Sequence, residues 1–157
     1  AVLIVEVKRE LGEKVWYVAH VLAFQEGPAE TDKRFAEHTR DIARWMATRK
    51  IPFQVRWEQE PGSAGKREGR RLVSAMAGLD AKAIPSRGDK MLRGKPFAAQ
   101  AEAGNVFLVQ GNWNEDWLRH MHNFPGGSHD DIWDATAGSF NALNDYTPMR
   151  KGTSKQG

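Results

Sequence analysis

Two apolar stretches flank a tight turn at the start of this chain, and helical and extended patterns alternate after them. That order constrains the fold more than any other feature of the sequence. Residues 1–8 (AVLIVEVK) read as a β-branched strand, and Leu11-Gly12-Glu13-Lys14 reads as a hairpin turn. Val15 to Phe24 is apolar at successive positions, which predicts a strand buried on both faces. Gly27-Pro28 ends it. Ala29 to Lys50 has helical periodicity, with Phe35, Ile42, Trp45 and Met46 on one side, and Pro52 stops it. Phe53 to Glu58 alternates as a short strand. Glu60 to Lys66 reads as a turn, with a helix after it to about Ala77. Asp80 to Pro85 is a strand, Lys90 to Gly104 a helix, Val106 to Gln110 a strand and Asn114 to Phe124 a helix. A last helix runs from Asp130 to about Tyr146. A hairpin followed by alternating helices and strands predicts an α/β fold, a mixed sheet flanked by helices on both faces.

The 157 residues suit one domain with a real core, spanning 1–146, and no internal repeat or linker divides it. Residues 147–157, rich in Gly, Ser and Lys, read as a disordered basic tail. Cysteine is absent, which excludes disulfides, thiolate zinc sites and cysteine nucleophiles. No apolar run is long enough to span a bilayer, and the opening segment is too short for a signal peptide. The formal net charge is +3 and the pI about 9.3, a mild basic bias that suits a polyanionic partner without singling one out.

Acidic chemistry concentrates in Gly126-Gly127-Ser128-His129-Asp130-Asp131-Ile132-Trp133-Asp134-Ala135. Three aspartates stand within five residues at the start of a predicted helix. Helix N-termini favour anions, and Ser128 suits an N-cap, so one or two of them need no further explanation. Spacings of three and four residues bring Asp134 to the side of the other two, and three like charges this close lose stability unless a cation offsets them. Oxygen-only donors suit hard ions such as Mg²⁺ or Mn²⁺. Glu58 ends a predicted strand before a glycine-containing turn, where open α/β sheets place ligand sites; the plainer reading is a solvated strand end. Glu60 is the next candidate, already in the turn. His129 fits a ligand, a proton shuttle or a helix-entry donor. His38, His120 and His122 show no metal-binding spacing and read as surface residues.

Gly62-Ser63-Ala64-Gly65-Lys66 is not a P-loop, because position 60 is Glu and position 67 is Arg. Ser63 reads instead as a helix cap. Lys66, Arg67, Arg70 and Arg71 make the next helix basic, and Lys90, Arg93 and Lys95 form a second patch at a helix entry. Both suit phosphate contact, or simply a solvated charged face.

Three blocks together resemble a known family, in its order and with similar spacing. They are Trp57-Glu58-Gln59-Glu60-Pro61-Gly62-Ser63-Ala64-Gly65-Lys66, then Gly88-Asp89-Lys90 with Arg93 and Pro96 to Val106, then Phe124-Pro125-Gly126-Gly127-Ser128-His129-Asp130-Asp131 with Asp134-Ala135. They look like the C-terminal nuclease domain of tailed-bacteriophage terminase large subunits. The resemblance implies an RNase H-like fold and a metal-dependent DNA endonuclease that cuts concatemeric viral DNA. It implies catalytic carboxylates at Glu58, Asp130 and Asp131, with Asp134 a further metal ligand, and Mg²⁺ or Mn²⁺ in a two-metal site. It implies DNA contact by Lys66, Arg67, Lys90 and Arg93. Its partners would be double-stranded DNA, a terminase ATPase domain, the portal and the small terminase subunit, in the cytoplasm of the infected bacterial host, with no membrane. The family also has an Asp on its first strand. Here the only acid in that strand is Glu6, a poor substitute near the hairpin, so the family's Asp is expected upstream of Ala1. Two alternatives stay open: a non-catalytic DNA-docking module, or another RNase H-like nuclease such as a resolvase or transposase core.

Overall fold

A computed structural model describes residues 1–85, 88–127 and 130–145. Its elements follow the expected order: β1 (Val2–Lys8), β2 (Lys14–Val21), α1 (Pro28–Thr48), β3 (Gln54–Gln59), α2 (Gly62–Ala75), β4 (Asp80–Pro85), α3 (Lys90–Glu102), β5 (Val106–Leu108), α4 (Asn114–Asn123) and α5 (Asp131–Asn144). The expected tail at 147–157, Ser128 and His129 lie outside the described residues.

The strands form two small sheets. One has the order β1-β2-β5, with β1 and β2 antiparallel and β2 and β5 parallel. The other is the parallel pair β3-β4, whose crossover is α2. Turn chemistry explains the β1–β2 hairpin: Gly12 takes φ 88°, a conformation open to glycine, and its N–H donates to the Arg9 carbonyl at 2.9 Å. Leu3 faces His20 while Ile4 faces Val18, so Ala19 is the extra residue of a β-bulge. β2 is buried along most of its length, at Val15, Trp16, Val18 and Val21, because it lies between β1 and β5.

Helix α5 ties the sheets together. The Ser139 hydroxyl donates to the Val2 carbonyl of β1 at 2.9 Å. Gln54 Nε2 of β3 donates to the Ala142 carbonyl of α5, also at 2.9 Å. The apolar side chains form two clusters. Ile4, Trp16, Val18 and Val21 pack against Phe97 of α3, Trp117 of α4 and Phe140 of α5. Phe140 lies 5.0 Å from the Trp16 ring and 5.6 Å from Phe97, both tilted arrangements that aromatic pairs prefer. Ala36 of α1, Val55 of β3 and Leu72 of α2 surround Met76 in the second cluster.

Two expectations need correction. Gly62 to Lys66 is not a turn before α2 but its first turns, entered through Pro61, so Ser63 lies inside the helix and does not cap it. This early start accommodates glycine at position 65, which backs onto Glu60: a Cβ there would stand 2.8 Å from the Glu60 carbonyl carbon. On α1 the buried positions are Ala36, Thr39 and Met46. Trp45 falls off that stripe and lies 51% exposed, under the Arg49 guanidinium at 3.8 Å.

Candidate functional site

Glu58 sits at the carboxyl end of β3, where the chain leaves the sheet for α2. Asp130 and Asp134 sit at the N-terminal end of α5. Helix α3 packs on α5 and carries Lys90 on its first turn and Arg93 one turn on. Asp89 caps α3, accepting from the Met91 N–H at 2.7 Å, and this fixes where Lys90 begins.

The three carboxylates meet through these two cations. Lys90 Nζ lies 2.8 Å from Asp130 Oδ2 and 2.7 Å from Asp134 Oδ2. Arg93 Nη1 lies 3.2 Å from Glu58 Oε1, and Arg93 Nη2 lies 3.4 Å from Asp134 Oδ1. Asp134 is the most enclosed of the three carboxylates, with its side chain 16% exposed, and it pairs with both cations. Hydrogen bonds to Asp130, then to Asp134, raise the Lys90 pKa above its ordinary value of 10.5, so the ammonium stays charged. Asp130 is the N-cap residue of α5, yet its side chain does not cap the helix. Helix capping therefore does not account for it.

Other candidates take different places. Asp131 is exposed on the first turn of α5, outside these ion pairs, and its charge raises the Ala1 ammonium pKa, which desolvation lowers more strongly. Lys66 and Arg67 are exposed on the first turns of α2 and make no ion pair among the described residues. Glu6 is held in the hairpin by Lys14 at 3.0 Å and by the Trp16 indole N–H at 3.1 Å, away from the cluster. Among the described residues, no three His, Cys, Asp or Glu side chains converge closely enough to hold a metal ion.

Sequence reasoning missed two features. It read Lys90 and Arg93 as phosphate contacts or a solvated charged face, although both turn inward to carboxylates. It also placed His38 on the surface. His38 is partly buried, its Nε2 lacks a hydrogen-bond partner among the described residues, and its ring lies 5.2 Å from His20. Burial, then His38, then the N-terminus lower the His20 pKa. Only the fact that β2 and α1 are both apolar-faced elements hinted at that pairing.

Beside the cluster, α3 and α5 meet at Gly94, which lies against the Trp133 indole. Trp133 stacks on Phe124 at 4.2 Å with the rings 10° from parallel. Arg93 Nε and Trp133 Nε1 are buried without hydrogen-bond partners among the described residues.

A family model described as a terminase RNase H-like domain matches residues 12–143. Comparison with curated proteins and with solved structures gave no match. No helix among the described residues is long and apolar enough to cross a membrane.

Proposed function

The chain belongs to the terminase RNase H-like domain family, and from that premise we propose that it is a divalent-metal-dependent DNA endonuclease of viral genome packaging. The observation that carries this reading is one meeting point. Glu58 from β3 and Asp130 and Asp134 from α5 are far apart in the chain, yet Lys90 and Arg93 gather them. The three carboxylates stand at a strand end and a helix start, the region where α/β sheets place ligands.

The donor chemistry fits a hard cation, since all the candidate ligands are carboxylate oxygens. Asp130 and Asp134 already hold one cation between them, the Lys90 ammonium. Glu58, Asp130 and Asp134 would hold Mg²⁺ or Mn²⁺, with Asp131 included by resemblance. Divalent ions held there would supply the positive charge that phosphodiester hydrolysis needs at its reacting oxygens. The chain's own cations do the binding. On this reading Lys66 and Arg67, exposed on α2, contact the phosphate backbone without reading sequence, with Lys90 and Arg93 as further contacts. The proposed partners are double-stranded DNA and, by family, the terminase ATPase domain, portal and small subunit.

One observation favours a second reading, a DNA-docking module that does not cut: the carboxylates do not converge as a three-ligand group among the described residues. Plasmid cleavage in Mg²⁺ or Mn²⁺ decides between them. Asp130→Ala is expected to abolish cleavage with the circular dichroism spectrum unchanged. Wild-type cutting by that variant would sink the site assignment, and DNA binding without cutting by the unaltered protein would favour the docking module.

A further inference from the structure

We propose that Lys82 of β4 is a DNA contact: its ammonium takes a backbone phosphate of duplex DNA on the sheet face that carries Glu58. This rests on reading the chain as a DNA-binding domain, but not on cleavage.

The register of β3 and β4 places Lys82. Arg56 pairs with Lys82, and Glu58 with Ile84. Side chains alternate along a strand, and cross-strand neighbours share a face. Helix α2 covers one face of this sheet. Ala81 packs into the Met76 cluster there, and a Cβ on Gly69 of α2 would stand 3.5 Å from Ala83 Cβ. Arg56, Glu58, Lys82 and Ile84 therefore stand on the other face. Arg93 reaches Glu58 from that side, and Gln54 reaches α5. No strand pairs with β4 beyond β3 among the described residues, so Lys82 and Ile84 lie at the open margin of the face. Both are exposed.

Electrostatics then favours an anion at this margin. Lys82 and Arg56 are like charges at paired positions of strands about 4.8 Å apart, an arrangement that loses stability. Arg56 is answered: its Nη1 lies 2.9 Å from Asp80 Oδ1 and donates to the Asp80 carbonyl. Lys90 and Arg93 are answered by Asp130, Asp134 and Glu58. Lys82 has no ion pair among the described residues. Edge strands carry lysine in many proteins to deter pairing with another chain. That role needs one charge on the edge and gains nothing from a second cation opposite it. A phosphate at Lys82 is balanced by the ammonium and offsets the repulsion from Arg56. Lys66 and Arg67 belong to the helix on the opposite face. Lys82 thus offers a backbone laid across the Glu58 face a cation that no carboxylate already holds.

Fluorescence anisotropy of labelled duplex DNA, titrated with the full chain in EDTA over a range of salt concentrations, tests this without cleavage. The proteins are the wild type, Lys82→Gln and Lys82→Arg. Lys82→Gln is expected to bind about five- to tenfold more weakly at about 0.1 M salt, with a log–log salt slope shallower by about 0.9, the signature of one lost phosphate contact. The loss is expected to be equal for two duplexes of unrelated sequence, since a phosphate contact reads no bases. Lys82→Arg is expected to bind as the wild type does, and the Tm of Lys82→Gln to equal or exceed the wild-type value. Unchanged affinity and slope in Lys82→Gln overturn the proposal. So does weaker binding that comes with a lowered Tm, or self-association with DNA affinity intact, which would make Lys82 an edge guard. Absence of duplex binding by the wild type overturns it together with the DNA-binding reading. Wild-type binding weakened by Lys82→Gln, in a protein that fails to cut, upholds the contact and overturns only the nuclease.

Discussion

Replacing Gly94 with Ala sets two opposing effects of known sign against each other. Helix propensity favours Ala over Gly in a helix interior by about 0.8–1 kcal/mol. Packing opposes it, because a Cβ on Gly94 would stand 2.6 Å from Trp133 Cε2 and 2.9 Å from Trp133 Nε1. Trp133 cannot simply turn away, since its ring is stacked on Phe124 at 4.2 Å. Forcing extra volume into a packed seam costs about 1–3 kcal/mol. With every such contact under 3.0 Å the packing loss falls in the upper part of that range, about 2–3 kcal/mol, and the net expectation for Gly94→Ala is a destabilisation of about 1–2 kcal/mol. In a domain of this size that lowers Tm by roughly 2–8 °C. Thermal unfolding followed by circular dichroism measures it. A Tm equal to or above that of the wild type would mean that propensity governs this position and that α3 and α5 are not in close contact there. A second variant sharpens the test. Trp133→Leu removes the obstructing ring, so Gly94→Ala is expected to cost less in that background than alone. Strictly additive losses would refute the contact.

The buried hydrogen bond of Thr136 and the histidine pair give two further expectations. Thr136 is fully buried, accepts from the Trp117 indole N–H at 3.1 Å and donates to the Ile132 carbonyl at 2.6 Å. Thr136→Val keeps the shape but strands the indole donor, so about 1–3 kcal/mol should be lost in urea denaturation; an unchanged midpoint would show that the bond contributes nothing. His20 has a folded-state pKa below its ordinary value of 6.5, so between those two values the unfolded chain binds more protons. Stability is therefore expected to fall as pH drops below about 6.5, and His20→Gln should flatten that fall. A wild-type Tm that holds or rises between pH 7 and pH 5.5, relative to the variant, would contradict the assignment.

Local pattern accounts for much of the fold. The strand Asp80–Pro85 has the boundaries its sequence predicts, because its neighbours on both sides break the pattern. β2 reads as buried on both faces from a mostly apolar run interrupted only by His20, and it is the inner strand of its sheet. Trp45 shows the limit of such reading. Periodicity admits a stripe that includes it, but only the neighbours of α1 decide that Ala36, Thr39 and Met46 are the inward positions.

Among the site residues, spacing within a few positions exposed the acidic start of α5, and the blocks shared with a known family marked Glu58. The sequence by itself therefore determined the element order, the α/β class and the carboxylates worth examining. Tertiary structure alone decided which charges meet. Lys90 and Asp130 are 40 residues apart, and nothing in either segment signals that one reaches the other. Helical and strand periods are set by neighbours along the chain, whereas an ion pair depends on two helix axes closing to within a side chain's length. Here that distance is set at Gly94, where the absence of a Cβ lets α3 approach α5 and brings Lys90 and Arg93 onto the acids.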